Sequence, residues 1–337
     1  MREVKSYGIM TSETAHVLID RVYEACSSGN VSFSFQGGEP TLAGLEFFED
    51  FSAYAENAKP KGVKISYSIQ TNGILVDESW CEYFAKYKYL VGLSLDGDRG
   101  LHDLCRKEAD GEGSFDDVTR AAKLMKKYNV DFNILAVITA QSARHAISLF
   151  GFWKKRGFDY VQPIPCLAPL DGTESEYALT PKLFATFMTE LYNVWEREFR
   201  NKHYISIRQF DNLVRMAAGA QPEMCGMKGF CQAQYVVEAD GGVYPCDFYV
   251  LDRYLCGNIK DMTFREIFES EGMKSFLTRD ALDNRCKECK ACTLCGGGCR
   301  RFRSLYFGED NYCAYREFLY ECYPKIKMLA NELFGQK

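Results

Sequence analysis

The sequence predicts an α/β fold built on a parallel sheet and followed by a separate cysteine-rich segment. Three observations carry this reading. From residue 1 to about 170, short β-branched and aromatic runs alternate with helical stretches. After residue 170 that rhythm gives way to amphipathic helices. The last third of the chain then gathers eight closely spaced cysteines: Cys225, Cys231, Cys246, Cys286, Cys289, Cys295, Cys299 and Cys313.

The alternating part reads as follows. Thr11 or Ser12 caps a helix running to about Cys26. Val31 to Gln36 is a strand, and a helix spans about Leu42 to Ala58. Lys64 to Gln70 is the next strand, followed by a helix near Glu78 to Lys86 and a strand from Tyr89 to Leu95. Ser114 caps a helix to Tyr128. Asp131 to Thr139 is a fourth strand, Ser142 to Arg156 a helix, and Tyr160 to Ile164 a fifth strand. Strand and helix repeated in this way imply βαβ units with right-handed crossovers. Beyond them, Leu183 to Arg200 and Ile207 to Ala218 are helical. Gln234 to Tyr244 forms a hairpin turning at Asp240-Gly241-Gly242. Phe264 to Phe276 is one helix, residues 284 to 313 are mostly loop, and Ala314 to Phe334 is a closing helix broken or bent at Pro324. Domain limits fall at 1–170 for the sheet part, 171–222 for a helical connector and 223–337 for the cysteine-rich part.

Composition narrows the function classes. With 337 residues there is room for one large domain or two smaller ones. The net charge of −5 offers no broad basic surface, so nucleic acid is not an expected partner. No apolar run is long enough to span a bilayer, and Met1-Arg2-Glu3-Val4-Lys5 has no apolar signal core. A cytoplasmic protein without membrane partners is therefore expected. Fifteen cysteines in such a chain point to metal or redox work rather than disulfides. His16, His102, His145 and His203 are scattered singly and read as ordinary surface or core residues.

Three strand ends are polar and glycine-rich: Gln36-Gly37-Gly38-Glu39-Pro40, Gln70-Thr71-Asn72-Gly73 and Ser94-Leu95-Asp96-Gly97. In parallel α/β folds the loops at the C-terminal ends of strands converge and build sites. Glycine lets a ligand approach the backbone, and Glu39 offers a carboxylate to a cation. Each segment is also an ordinary turn composition; their recurrence in successive βα units favours a shared site.

The cysteines fit soft-metal ligation, since several sulfurs converging on one point need a cation. Eight ligands make two four-thiolate sites, with iron the expected metal. Gly296-Gly297-Gly298 would let backbone wrap a cluster and aim N–H groups at sulfur. A tetrahedral zinc site remains open for the run Cys286 to Cys299 read alone. Cys292 inside that run is a spare thiol. Cys26, Cys81, Cys105, Cys166, Cys256 and Cys322 read as buried small hydrophobes. Asp247, next to Cys246, is a candidate base or a solvated loop residue.

Taken together, Gly37-Gly38-Glu39-Pro40 after a strand, the later Ser94-Leu95-Asp96-Gly97, and Cys231-x9-Gly241-x4-Cys246 followed by Cys286-x2-Cys289-x5-Cys295-x3-Cys299 and Cys313 resemble radical S-adenosylmethionine (AdoMet) enzymes with a SPASM domain. Phe35 to Thr41, Lys127 to Val130 and Ile164 to Leu167 are similar to the anaerobic sulfatase-maturating enzymes within that superfamily. The resemblance covers essentially the whole chain. It implies a partial (β/α)6 TIM-like barrel followed by a SPASM domain with two auxiliary 4Fe–4S clusters. One would take Cys225, Cys231, Cys246 and Cys299, the other Cys286, Cys289, Cys295 and Cys313. Gly37, Gly38 and Glu39 match the segment holding the AdoMet amino group, Ser94 a contact to its carboxylate, and Leu167 a contact to adenine. Gln36 would face the substrate peptide and Asp247 matches the family's base. The implied reaction oxidises a cysteine or serine of a sulfatase peptide to Cα-formylglycine. A 5′-deoxyadenosyl radical takes a side-chain hydrogen, and an electron leaves through an auxiliary cluster. A flavodoxin- or ferredoxin-type carrier is the expected reductant.

One departure stands out. No Cys-x3-Cys-x2-Cys occurs in the 337 residues, so a third 4Fe–4S cluster is not expected and the chain alone is not expected to cleave AdoMet. The first barrel strand reads as missing, which leaves an open sheet edge prone to association. The sequence thus leaves open a truncated or complemented enzyme, a non-catalytic iron–sulfur protein that binds peptides or passes electrons, and another SPASM peptide maturase.

Overall fold

A computed structural model describes residues 7–335; the leading loop read at Met1 lies outside the described residues. The first elements are α1 (Ser12–Ala25), β1 (Ser28–Phe35), α2 (Leu45–Ala58), β2 (Gly62–Thr71), α3 (Glu78–Tyr87), β3 (Leu90–Ser94), α4 (Arg99–Cys105) and α5 (Phe115–Lys127). Next come β4 (Asp131–Ile138), α6 (Ala146–Arg156), β5 (Tyr160–Pro165), α7 (Pro181–Arg200), β6 (Ser206–Ile207) and α8 (Arg208–Ala217). The last part holds β7 (Val236–Val237), β8 (Gly242–Tyr244), β9 (Gly257–Asn258), α9 (Phe264–Glu269), α10 (Glu271–Leu277), α11 (Asn284–Lys287), α12 (Cys292–Cys295), α13 (Arg303–Tyr306) and α14 (Ala314–Phe334).

Strands β1 to β6 follow chain order in one sheet. The pairings of β1 with β2, β2 with β3, β4 with β5 and β5 with β6 are all parallel. This is the α/β class the sequence predicted. The sixth strand is new. Ser206–Ile207 pairs with Tyr160 and Val161, and two residues are too few to leave a period-2 signal.

The chain divides into two compact units, each drawn from several stretches. The first holds the residues up to Leu93, Asp117–Phe132 and Cys231–Arg279. Its sheet alternates faces. Val31, Phe33, Tyr67 and Ile69 point to the buried side, while Ser32, Ser34, Ser66 and Ser68 point away. The register sets those serines opposite one another, and Ser32–Ser66 and Ser34–Ser68 are hydroxyl pairs at 2.7 Å. The buried side is aromatic: Phe35 lies 4.8 Å from Phe48, Phe48 lies 5.3 Å from Trp80, and Tyr67 stacks on Tyr89 at 5.0 Å. The antiparallel trio β7, β8 and β9 forms a second small sheet, with the hairpin turn where the sequence placed it. Val243, Ile259, Ile267 and Met273 make its core, packed against Val17, Leu18 and Val22 of α1. The predicted single helix from Phe264 to Phe276 is two, α9 and α10. Ser270 takes extended backbone and caps α10 by accepting from Met273 N at 3.3 Å.

The second unit holds Ser94–Asp116, Asn133–Phe230 and the residues from Asp280 on. Its core is Trp153, Tyr192, Trp195, Phe210 and Phe318, from α6, α7, α8 and α14. The buried Trp195 indole donates to Ile205 O at 2.8 Å, which fixes the chain entering β6. Helix α14 passes through Pro324 without a break, and the expected loop from 284 to 313 contains the single helical turns α11, α12 and α13.

Phe48 is 1% exposed and meets four aromatic rings, so Phe48→Ala is expected to lower the unfolding free energy by about 3–5 kcal/mol in denaturant titration.

Candidate functional site

The first rim turn is organised by one carboxylate. Glu39 follows β1, with Gly37 and Gly38 at φ +92° and +55°. Its Oε1 accepts from Thr41 N (3.0 Å), Thr41 Oγ1 (2.7 Å) and Thr71 Oγ1 (2.8 Å). Its Oε2 accepts from Asn72 N at 2.7 Å. The second rim turn, after β2, is therefore tied directly to the first. Three of these bonds crowd Oε1, whereas Oε2 takes one and keeps a lone pair. Glu39 thus braces the loop, and the glycine backbone beside it is open. A Cβ placed on Gly37 or Gly38 would meet nothing within 4 Å. Gln36, beside them, is exposed.

The third rim turn lies in the other unit. Ser94 ends β3 and is half-buried. Asp96 is 5% exposed and receives Arg106 Nε at 2.6 Å, Arg106 Nη2 at 3.1 Å and Val137 N at 2.8 Å. Its own N–H donates to His102 Nδ1 at 3.2 Å. A ring nitrogen that accepts from an amide must carry a lone pair, so the proton sits on Nε2 and is donated to Ser114 Oγ at 3.1 Å. Burial pushes the His102 pKa down to about 4, the neighbouring Asp96 and Arg106 opposing each other. His102 is thus a buried hub of this loop. Leu167, half-buried after β5, belongs to a stretch stapled at both ends. Cys166 N donates to Ile138 O at 2.8 Å, and Arg301 Nη2 donates to Ala168 O at 2.5 Å.

The thiols of the second unit gather in a region of short turns. The 225–229 and 295–299 segments touch backbone to backbone: a Cβ on Gly296 would lie 2.6 Å from Gly229 N, and one on Gly226 would lie 3.3 Å from Cys299 Cβ. Only glycine allows this approach, and Gly296 also sits at φ +59°. Burial pushes the Cys295 thiol up to about 12, against a hydrogen bond from Gly297 N–H that lowers it; Cys292, Cys286 and Cys313 act on it next. Burial likewise raises Cys286 to about 11, with Cys292, Cys313 and Cys289 among its neighbours. The glycine triplet therefore aims an N–H at sulfur, as its composition predicted. Among the described residues no three His, Cys, Asp or Glu side chains stand close enough to hold a single metal ion. A cuboidal cluster carries its irons at separate corners, so its thiolates stand further apart than those of one ion. The donor set, thiols alone with an N–H directed at sulfur, fits such a cluster.

In the first unit, Cys231 and Cys246 are half-buried, and Cys246 Sγ donates to Asp247 Oδ1 at 3.2 Å. Asp247 is exposed; its Oδ1 also accepts from Phe248 N at 2.9 Å. Of the cysteines read as buried hydrophobes, Cys81, Cys256 and Cys322 are buried, Cys26 and Cys166 are half-buried, and Cys105 is exposed. Cys105 is the C-terminal residue of α4, a short helix that the sequence reading did not separate from its loop. Thr41, Thr71, Arg106 and His102 were missed as loop-holding residues: Thr71 meets Glu39 32 residues away, and the other three pair with nearby residues through loop geometry that no motif announces.

Comparison with known proteins assigns both parts of the chain. The radical SAM superfamily model matches residues 3–149, and the SPASM iron–sulfur cluster-binding domain model matches residues 225–293. The cysteine-type anaerobic sulfatase-maturating enzyme of Clostridium perfringens is 44% identical over 98% of this chain and 92% of its own length. The serine-type enzyme of Bacteroides thetaiotaomicron is 30% identical over 98% of this chain and 84% of its own. Among solved structures, native anSMEcpe with bound AdoMet and Kp18Cys peptide superposes with a TM-score of 0.92 at 43% identity, covering 98% of this chain and 93% of that one.

Glu39→Ala removes an acceptor from four donors and is expected to lower the unfolding free energy by about 1.5–3 kcal/mol, with faster amide exchange at Asn72. The His102 pKa is depressed in the fold, so the unfolded chain binds the proton more readily. Stability should fall as pH drops from about 6.5 to about 4, and His102→Gln should flatten that part of the profile in pH-dependent denaturation.

Proposed function

The chain belongs to the radical AdoMet superfamily and, within it, to the anaerobic sulfatase-maturating enzymes. From that premise we propose that it oxidises a cysteine in a sulfatase peptide to Cα-formylglycine. The observation that carries the choice of cysteine is the identity gap: 44% to a cysteine-type enzyme against 30% to a serine-type one, over the same 98% of the chain.

When bound, AdoMet and the iron–sulfur clusters supply the one-electron chemistry. The residues of this chain bind, orient and move the proton. The Gly37 and Gly38 carbonyls would hold the AdoMet amino group, on a turn that Glu39 keeps rigid and negatively charged. Ser94 would meet the AdoMet carboxylate, on the loop that Asp96 pins to β4. Leu167 would cover the adenine. Gln36, exposed beside the glycines, would hold the peptide. Asp247 would take the thiol proton of the target cysteine; its exposure leaves the carboxylate open to an incoming peptide. Two auxiliary 4Fe–4S clusters would sit on Cys225, Cys231, Cys246 and Cys299 and on the thiols of the 286–313 region. A small flavodoxin or ferredoxin would exchange electrons with them. No residue of the 337 is assigned to an AdoMet-ligating cluster, since they contain no Cys-x3-Cys-x2-Cys. Among the described residues no helix is long and apolar enough to cross a membrane.

The test is anaerobic expression of the protein, as its gene encodes it, with a sulfatase carrying cysteine or serine at the target position. Mass spectrometry should find formylglycine from the cysteine form in excess. Asp247→Asn should reduce it about a hundredfold or more while iron and sulfide content stay unchanged. Formylglycine from neither form, in protein that carries iron and labile sulfide, would contradict the assignment.

A further inference from the structure

Strands β2 and β3 do not overlap along their whole length. β2 runs from Gly62 to Thr71, and β1 pairs with its residues 62–69. β3 begins only at Leu90, which pairs with Ser68. Residues 62–67 of β2 therefore have a strand on one side and none on the other. In an extended strand, successive residues turn their N–H and C=O groups to opposite edges. Every second residue of this stretch thus presents both groups to the open side. A cleft of ≈ 520 Å³ lies beside it, lined by Ile65, Ser66 and Tyr67 of β2 and by Lys86, Tyr87 and Lys88 at the end of α3. That volume falls within the range of about 300–1,000 Å³ typical of ligand sites. Leu90, where β3 begins, is 51% exposed and offers an apolar contact. Every one of these residues lies in the first unit.

The charge around the cleft is one-sided. Lys61, Lys64, Lys86 and Lys88 are exposed, and none has a carboxylate partner among the described residues. Lys64 shares its face of the strand with Ser66, and Lys86 Nζ lies 4.9 Å from the centre of the Tyr87 ring. The carboxylate at the cleft, Glu56, is taken by Lys59 at 2.6 Å. Lys88 is held at φ +54° and ψ +48°, the left-handed conformation that closes a helix and that glycine adopts most readily. A lysine thus stands where backbone energy alone favours glycine. Lysine on a bare strand edge repels a second copy of the same edge and attracts a strand of opposite charge.

We propose that this edge is a docking site for an extended acidic segment of a partner protein, which adds to β2 as a further strand beside residues 62–67. The open N–H and C=O groups supply main-chain hydrogen bonds, the lysines select carboxylates, and the cleft takes the side chains that turn inward. The reaction proposed above is not a premise of this inference.

The test uses anaerobically purified holoprotein and a fluorescein-labelled peptide of alternating glutamate and valine, read by fluorescence anisotropy. Saturable binding that weakens as salt is raised is expected, with none for the corresponding lysine–valine peptide. Lys86→Glu should weaken binding about tenfold. Lys88→Gly should weaken it about threefold without lowering the melting temperature, since glycine suits that backbone; loss of binding is then separated from loss of fold. Peptides N-methylated at alternate residues locate the hydrogen bonds. Methylation in one register should abolish binding and in the other leave it, and amide exchange should slow within residues 62–67 when the unmethylated peptide is bound. Equal effects of the two registers, unchanged exchange in 62–67, or no saturable binding of the glutamate–valine peptide would overturn the proposal. So would wild-type affinity in both lysine variants.

Discussion

In the second unit, short turns draw the thiols of the 280–313 segment together, anchored by Arg285 on Gly308 O and Tyr312 O and by Tyr306 on Phe184. Between Asp280 and Cys313 the elements are single helical turns, too short to be stable by themselves. Arg300 and Arg303 share Asp280, but these ion pairs lie at a half-exposed surface and contribute little. Burial favours protonated, neutral forms of Cys286 and Cys295. A metal reverses that preference, because it binds the thiolate and releases the proton, so binding free energy becomes folding free energy. The backbone approach of Gly296 to Gly229 shows what the region is shaped to do: it brings a downstream loop and an upstream loop to one place.

The rim turns are different, since they are organised by the protein alone. Glu39 satisfies donors from two successive βα units, and Asp96 does the same for Arg106 and β4. Both carboxylates lie at or beside glycine-containing turns, where the backbone is free to meet a ligand. The arrangement separates two tasks. Buried or braced carboxylates fix the loop, and Gln36, Gly37 and Gly38 stay exposed beside it. Preorganisation of this kind keeps the entropy of ordering out of the binding step.

Much of this was legible in the residues. The βα rhythm located five of the six strands, because each of those strands is long enough to show its pattern. The hairpin at Asp240-Gly241 was legible from turn chemistry. Strand β6, with two residues, was not, and it exists because Trp195 holds Ile205 and the neighbouring β5 offers an edge. The break at Ser270 was hidden by continuous helical periodicity on both sides. Cysteine spacing pointed to an iron–sulfur region, and the SPASM cluster-binding model matches residues 225–293 of it. His102 was read as ordinary because a single histidine carries no pattern; its role comes from the amide of Asp96.

The central claim is that thiolates of the cysteine-rich region hold two iron–sulfur cubanes. Mössbauer spectroscopy of iron-57-enriched protein, purified without oxygen, tests it most directly. The account predicts the quadrupole doublets of 4Fe–4S centres, with iron and labile sulfide in equal amounts and enough for two clusters on the cysteines named above. A spectrum without cluster iron, in protein whose thiols instead carry zinc or nothing, would contradict it.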